Sequence, residues 1–70
     1  MGKLSDRRQR ILTFIGSFIS DRGYPPTVRQ IQKACHISST SVVDYNLEIL
    51  KEDGYIRRDR DVSRGIGLLG

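Results

Sequence analysis

Five side chains between Ser38 and Gly54 are of types that can read the edge of another molecule. Ser39, Ser41 and Asp44 supply hydroxyl and carboxylate groups, Val42 a small apolar contact, and Tyr45 a ring with a polar tip. Packing does not claim them, because the apolar stripe of the same stretch is Val43, Leu47 and Leu50 at helical spacing. Groups suited to bond-breaking chemistry lie just upstream, at Cys35 and His36. Neither has an acid or a second ligand at a telling spacing, so Cys35 is expected to be a buried structural thiol. His36 is expected to be neither a catalytic base nor a metal ligand. A single cysteine excludes an internal disulfide, and no metal or other cofactor is expected.

A second set of residues suits phosphate. Thr27 and Arg29 open one helix, and Arg57, Arg58, Arg60 and Arg64 crowd the end of the chain; Arg7 and Lys33 are weaker candidates. The formal net charge is +4, a modest tilt toward an anionic partner. Its distribution says more than its total. Residues 1 to 20 carry +3, 21 to 37 carry +2 and 55 to 70 carry +2, whereas 38 to 54 set Lys51 against Asp44, Glu48, Glu52 and Asp53, for −3. The stretch with the reading chemistry is thus the one acidic segment, and phosphates are expected to be held by its surroundings.

These residues need elements to hold them. Seventy residues make one small domain whose core is marginal, and 37% hydrophobic with 29% charged residues suits a folded chain. No apolar run approaches the ~18 residues of a membrane span, and a cytoplasmic setting is expected. Met1-Gly2-Lys3 reads as a frayed start. Ser5 can cap a first helix over about 5–21 that buries Ile11, Ile15, Phe18 and Ile19, flanked by Leu12 and Phe14. Arg7, Arg8 and Arg10 sit in its first turns, where the helix dipole disfavours positive charge.

Gly23 ends that helix, and Tyr24-Pro25-Pro26 is held extended by its prolines. Thr27 with Gln30 three residues on forms a capping box for a helix over about 28–35, burying Ile31, Ala34 and Cys35. His36-Ile37-Ser38 leaves room only for a tight turn. His36 is one of the few non-glycine types that tolerates positive φ, and Ile37 should point inward. The next helix spans about 39–53 and stops at Gly54. Two helices so joined read as a helix-turn-helix. Residues 55–69 then alternate as a hairpin, Tyr55 to Arg58 pairing with Gly65 to Leu69 around a charged loop, packed through Ile56, Ile66 and Leu68. The expected fold is mainly α (α+β), a three-helix winged helix-turn-helix with a C-terminal two-stranded hairpin wing.

The assembled residues resemble the N-terminal DNA-binding domain of the LexA repressor family. The likeness rests on Tyr24-Pro25-Pro26-Thr27-Val28-Arg29-Gln30-Ile31, Ser38-Ser39-Thr40-Ser41-Val42, Leu47, Leu50, Gly54, Ile56-Arg57-Arg58-Asp59 and Ser63-Arg64-Gly65-Ile66. It runs almost the full chain without a gap. It departs from the family at His36, where glycine is usual, and along Val42, Asp44, Tyr45 and Asn46, which vary with the operator.

The resemblance implies a repressor of the bacterial SOS response that binds a palindromic double-stranded operator, two copies per site. It implies that RecA acts only through a C-terminal self-cleaving serine-lysine domain, expected to lie outside this chain. The domain alone is expected to be a monomer or weak dimer away from DNA, with no catalytic residues. On that reading Ser39, Ser41, Val42, Asp44 and Tyr45 meet base edges, Asp44 accepting from a cytosine amine. Thr27, Arg29, Arg57, Arg58, Arg60 and Arg64 hold phosphates. A protein-docking winged helix and a regulator outside the SOS response are the alternatives. Docking would need an apolar patch beyond Val42, Tyr45 and Ile49.

Overall fold

Helix α1 (Asp6–Arg22) begins where the Ser5 hydroxyl accepts from the Arg8 amide, and it ends at Gly23, whose φ of 80° turns the chain away. The computed structural model describes residues 4–69, so the frayed start expected at residues 1–3 lies outside the described residues. Helix α2 (Val28–Ala34) opens on the expected capping box: Thr27 Oγ1 accepts from the Gln30 amide at 3.2 Å, and Gln30 Oε1 accepts from the Thr27 amide at 2.9 Å. Helix α3 (Thr40–Glu52) is capped by Ser39, whose Oγ accepts from the Val42 amide. Strands β1 (Ile56–Arg58) and β2 (Ile66–Leu68) pair antiparallel, Ile56 opposite Leu68 and Arg58 opposite Ile66. The helices sit within about a residue of their expected spans, since the capping residues stand just outside the helical ladder.

The turn between α2 and α3 fixes how they cross. His36 has φ 56°, and the Ile37 and His36 amides donate to the Gln32 and Lys33 carbonyls, so a Schellman closure is built on a histidine. The same closure ends α3, with Gly54 at φ 85° and the Tyr55 and Gly54 amides donating to Leu50 and Lys51. Ile37 is buried as expected and ties the turn to the core.

One cluster joins all the elements: Ile11 and Ile15 from α1, Ile31 and Cys35 from α2 and its end, Val43, Leu47 and Leu50 from α3, and Ile56 and Ile66 from the hairpin. Each large aliphatic side chain so buried contributes about 1.5–3 kcal/mol, so few are dispensable in a core this small. Two packing expectations need correction. Ala34 is exposed, because α2 presents Ile31 and Cys35 inward and Ala34 falls off that stripe. Leu68 is 43% exposed; it lies over α1 near Gly16 but at the rim, since the hairpin reaches the core through Ile56 and Ile66.

Asn46 was not foreseen in the core. It is buried on α3, where its Nδ2 donates to the Val42 carbonyl at 2.8 Å and its Oδ1 accepts from Arg8 Nη1 at 3.1 Å. The arginine-rich start of α1 is thereby tied to the middle of α3 by a neutral partner.

The left-handed histidine yields the first prediction. His36→Gly should raise stability by about 0.5–1 kcal/mol, the relief of backbone strain exceeding the added freedom of the unfolded chain. His36→Val should lower it by at least about 1 kcal/mol, because a β-branched residue fits that region poorly. Thermal unfolding should order the melting temperatures Gly above His above Val. A histidine chain more stable than the glycine variant would mean that an imidazole contact, not the backbone, governs the turn.

Candidate nucleic-acid interface

The start of α2, the first turns of α3 and the wing enclose a groove of about 350 Å³. Thr27 and Arg29 lie on one side, Asp44 on the floor side from α3, and Arg58 and Arg60 on the wing side. Five of the expected residues therefore converge, from three separate elements. Thr40, Val62 and Ser63 also border this groove and had not been singled out. Thr40 follows the Ser39 cap directly, so the hydroxyl run was visible, but which member faces the groove depends on helix phase.

The residues expected to read bases divide by what the fold asks of them. Ser39 uses a lone pair on the cap and keeps its hydroxyl proton for another acceptor. Ser41 is exposed, Val42 half-buried against the core, and Tyr45 65% exposed. Among the described residues, no other exposed large hydrophobic side chain is as accessible as Tyr45. Asp44 is different, because its carboxylate is already engaged.

Arg58 and Arg60 lie side by side across Asp44 and Glu48, one helical turn apart. Arg58 Nη2 donates to Asp44 Oδ1 and its Nη1 to Glu48 Oε2 at 3.4 Å. Arg60 repeats the pattern, Nη2 to Asp44 Oδ2 at 3.3 Å and Nη1 to Glu48 Oε2 at 2.9 Å. Lys51 adds a contact of 3.4 Å to Glu48 Oε1. The two arginines differ sharply in exposure: 7% of the Arg58 side chain is accessible and 55% of that of Arg60. Partial desolvation pushes the Glu48 carboxyl up, but hydrogen bonds from Lys51 and Arg60, with their charges, outweigh it and hold the group below its ordinary value of 4.5.

The remaining arginines separate. Arg64 stacks 4.7 Å from the Tyr24 ring centroid and donates through Nη1 to the Pro25 carbonyl at 2.8 Å and to Gln30 Oε1 at 3.1 Å. It thus pins the wing to the capping box of α2. Arg57 points to the face of β1 opposite Ile56 and Arg58, is exposed, and borders a different groove with Tyr24 and Pro25. Arg29 is exposed beside Lys33, while the Thr27 amide and one hydroxyl lone pair serve the cap.

Burial also pushes the Cys35 thiol up, against the lowering effect of Arg10. Among the described residues no group of three histidine, cysteine or acidic side chains is placed to hold a metal, and no helix is long and apolar enough to cross a membrane.

A three-helix fold with a two-stranded wing, and a groove between wing and third helix, matches a known type. Residues 1–65 match the model of the LexA DNA-binding domain. The chain belongs to the LexA DNA-binding domain family. It is 51% identical over 69 residues to the LexA repressor of Herpetosiphon aurantiacus, covering 99% of this chain and 32% of that protein. It is 47% identical over 70 residues to LexA repressor 1 of Geobacter sulfurreducens, covering 100% of this chain and 35% of that one. The LexA repressor of Roseiflexus sp. is 55% identical over 64 residues, 91% of this chain and 29% of its own length. The chain thus spans about a third of the length of these LexA relatives.

Two predictions concern this surface. A carboxyl whose folded pKa is depressed adds stability above its unfolded value and loses it as pH falls through the folded one. The native chain should therefore lose stability more steeply than Glu48→Gln as pH falls below the ordinary value of 4.5, and the two should converge once the carboxyl is protonated in both states. Denaturant titrations at a series of pH values check this; parallel curves throughout would detach Glu48 from the wing. Arg64→Ala should cost about 1–2 kcal/mol, and Arg64→Lys should recover only part, since one ammonium cannot stack and serve both acceptors equally. Urea unfolding with an unchanged slope measures both.

Proposed function

We propose that this chain is the operator-reading part of a LexA-like transcriptional repressor of the SOS response, binding double-stranded DNA in a sequence-specific way. The observation that carries the reading is the groove in which the first turns of α3, the start of α2 and the wing meet, within a chain that matches the LexA DNA-binding domain over residues 1–65. Helix α3 enters the major groove by its N-terminal half. Ser39 and Ser41 exchange hydrogen bonds with base edges, Val42 packs on a thymine methyl, and Tyr45 reaches a base, sugar or phosphate.

Phosphates fall to Arg29 and Thr27 beside the groove and to Arg60, whose guanidinium is exposed enough to leave its carboxylates. Arg57 lies on the other face of the strand and meets phosphate only where the duplex wraps the wing. Arg58 and Arg64, expected to hold phosphate, are engaged by acceptors within the fold and are assigned to positioning.

Two copies on a palindromic site, each half-site about one helical turn from the other, follow from the whole-repressor reading. RecA-triggered self-cleavage belongs, on the same reading, to a segment beyond this third of the repressor. The domain itself does no catalysis. It works in the bacterial cytoplasm, on the chromosome.

Binding of the purified chain to duplexes selected from a random pool, titrated in rising salt, tests this. A consensus half-site and a steep salt slope are expected; salt-independent binding without a consensus would favour protein docking. Tyr45→Ala and Ser41→Ala should reduce discrimination among variants of the selected site more than affinity for unrelated DNA. Arg29→Ala should weaken all duplexes alike and lower the salt slope by about one. Equal losses on every sequence for Tyr45→Ala would remove it from the reading face.

A further inference from the structure

Arg58 is a cation in the place where phosphate binding would be sought, yet its geometry suits another task. Only 7% of its side chain is accessible, and its two terminal nitrogens each donate to a carboxylate, Nη2 to Asp44 and Nη1 to Glu48. It shares the strand face of buried Ile56, so the backbone of the wing, anchored in the core, fixes where the guanidinium stands. The carboxylate it grips is 38% exposed and borders the groove. Each Asp44 oxygen accepts one hydrogen bond, from Arg58 on Oδ1 and from Arg60 on Oδ2. A carboxylate has about four lone-pair sites, so Asp44 keeps acceptor capacity while its rotamer is held.

We propose that Arg58 is a positioning residue for base selection. Its fork, braced on Glu48, holds the Asp44 carboxylate at one orientation, in which the free lone pairs accept from the exocyclic amine of a cytosine. This deepens the DNA-reading function and rests on it. An unpaired aspartate at a helix entering the groove would be repelled by the phosphates and free to rotate away. The Arg58 charge offsets the repulsion, and its hydrogen bond to Oδ1, with the other arm of the guanidinium anchored on Glu48, restrains the rotation.

Arg60 is the exposed arm of the same arrangement. It can exchange the carboxylates for a phosphate while Arg58, Asp44 and Glu48 stay locked. Two neighbouring arginines with the same partners thus have separable effects, Arg58 on which base is chosen and Arg60 on how binding responds to salt.

The test uses the native chain, its selected consensus duplex, all single-base variants of one half-site, and a salt series. Variants are Arg58→Gln, Arg58→Lys, Asp44→Asn, the Asp44→Asn/Arg58→Gln double and Arg60→Gln, each checked for its thermal transition.

Asp44→Asn and Arg58→Gln should lose discrimination at the same cytosine position, by roughly 5–10-fold, with other positions unchanged. The double variant should lose no more there than either single one. Arg58→Lys, which keeps the charge but not the fork, should lose part of it, and it decides the matter if Arg58→Gln does not fold. The salt slope should fall by about one for Arg60→Gln and stay unchanged for both Arg58 variants.

The proposal is overturned if Arg58→Gln weakens all duplexes equally with a slope lower by about one, which is phosphate contact. Relaxation at a position other than that of Asp44 also overturns it, as does a native site without cytosine selectivity dependent on Asp44. If the native chain selects no consensus at all, the DNA-reading function itself falls, which the first selection shows before any variant is made.

Discussion

The guanidinium of Arg58 makes the wing and the third helix one surface. A cation this enclosed is stable only where anions take up its hydrogen bonds, because desolvation of an unpaired charge outweighs what packing returns. Asp44 and Glu48 meet that demand from one face of α3 at helical spacing, and β1 presents the arginine on the side that carries Ile56. The constraint acts in both directions. The hairpin cannot shift against α3 without exposing or orphaning the charge, and the wing relieves the mild repulsion of two acids one turn apart on α3. A two-stranded hairpin, unstable alone, gains a polar tie to the helix in addition to its apolar one.

The polar ties continue round the molecule. Arg64 holds the far side of the wing to the Tyr24-Pro25 segment and to Gln30, which is itself half of the α2 capping box. Arg8 reaches Asn46 in the centre of α3. Each helix is thus connected to another element through a side chain that a simple hydropathy pattern would leave in solvent. With a core of so few aliphatic residues, orientation among elements rests on these pairs as well as on volume.

What could be read from the sequence was local. Ser5, Thr27 with Gln30, Ser39, Gly23, Gly54 and even the left-handed His36 act within three to five residues, so their signals survive in the bare chain. The apolar stripes of α1 and α3 were legible for the same reason, since periodicity is a property of one helix. The fates of the charged residues were not. Arg58 and Asp44 lie 14 residues apart, Arg8 and Asn46 38, and Arg64 and Pro25 39. Nothing in the type of an arginine says whether it will meet a phosphate or a carbonyl. Leu68 and Ala34 were misplaced because apolar character gives a tendency to burial but not a place in a particular core.

The acidic reading helix was the feature hardest to reconcile with a polyanionic partner, and the pairing changes its meaning. Asp44 and Glu48 contribute two of the four acids of residues 38–54, and Arg58 and Arg60 cancel them at contact distance. On the proposed function, what approaches DNA at the first turns of α3 is a hydrogen-bonding face whose acids are already paired. Glu52 and Asp53 lie at the other end of the helix, and Arg29 and Lys33 border the α2 side. On that reading affinity and selectivity reside on different side chains. With the proposed roles, a substitution at Tyr45 or Asp44 would alter which base pair is favoured and leave the phosphate grip as it was. The reverse holds for Arg29. That separation requires the carboxylate facing the bases to be neutralised from within the fold, because an acid neutralised by the DNA itself would tie every change of selectivity to a change of affinity.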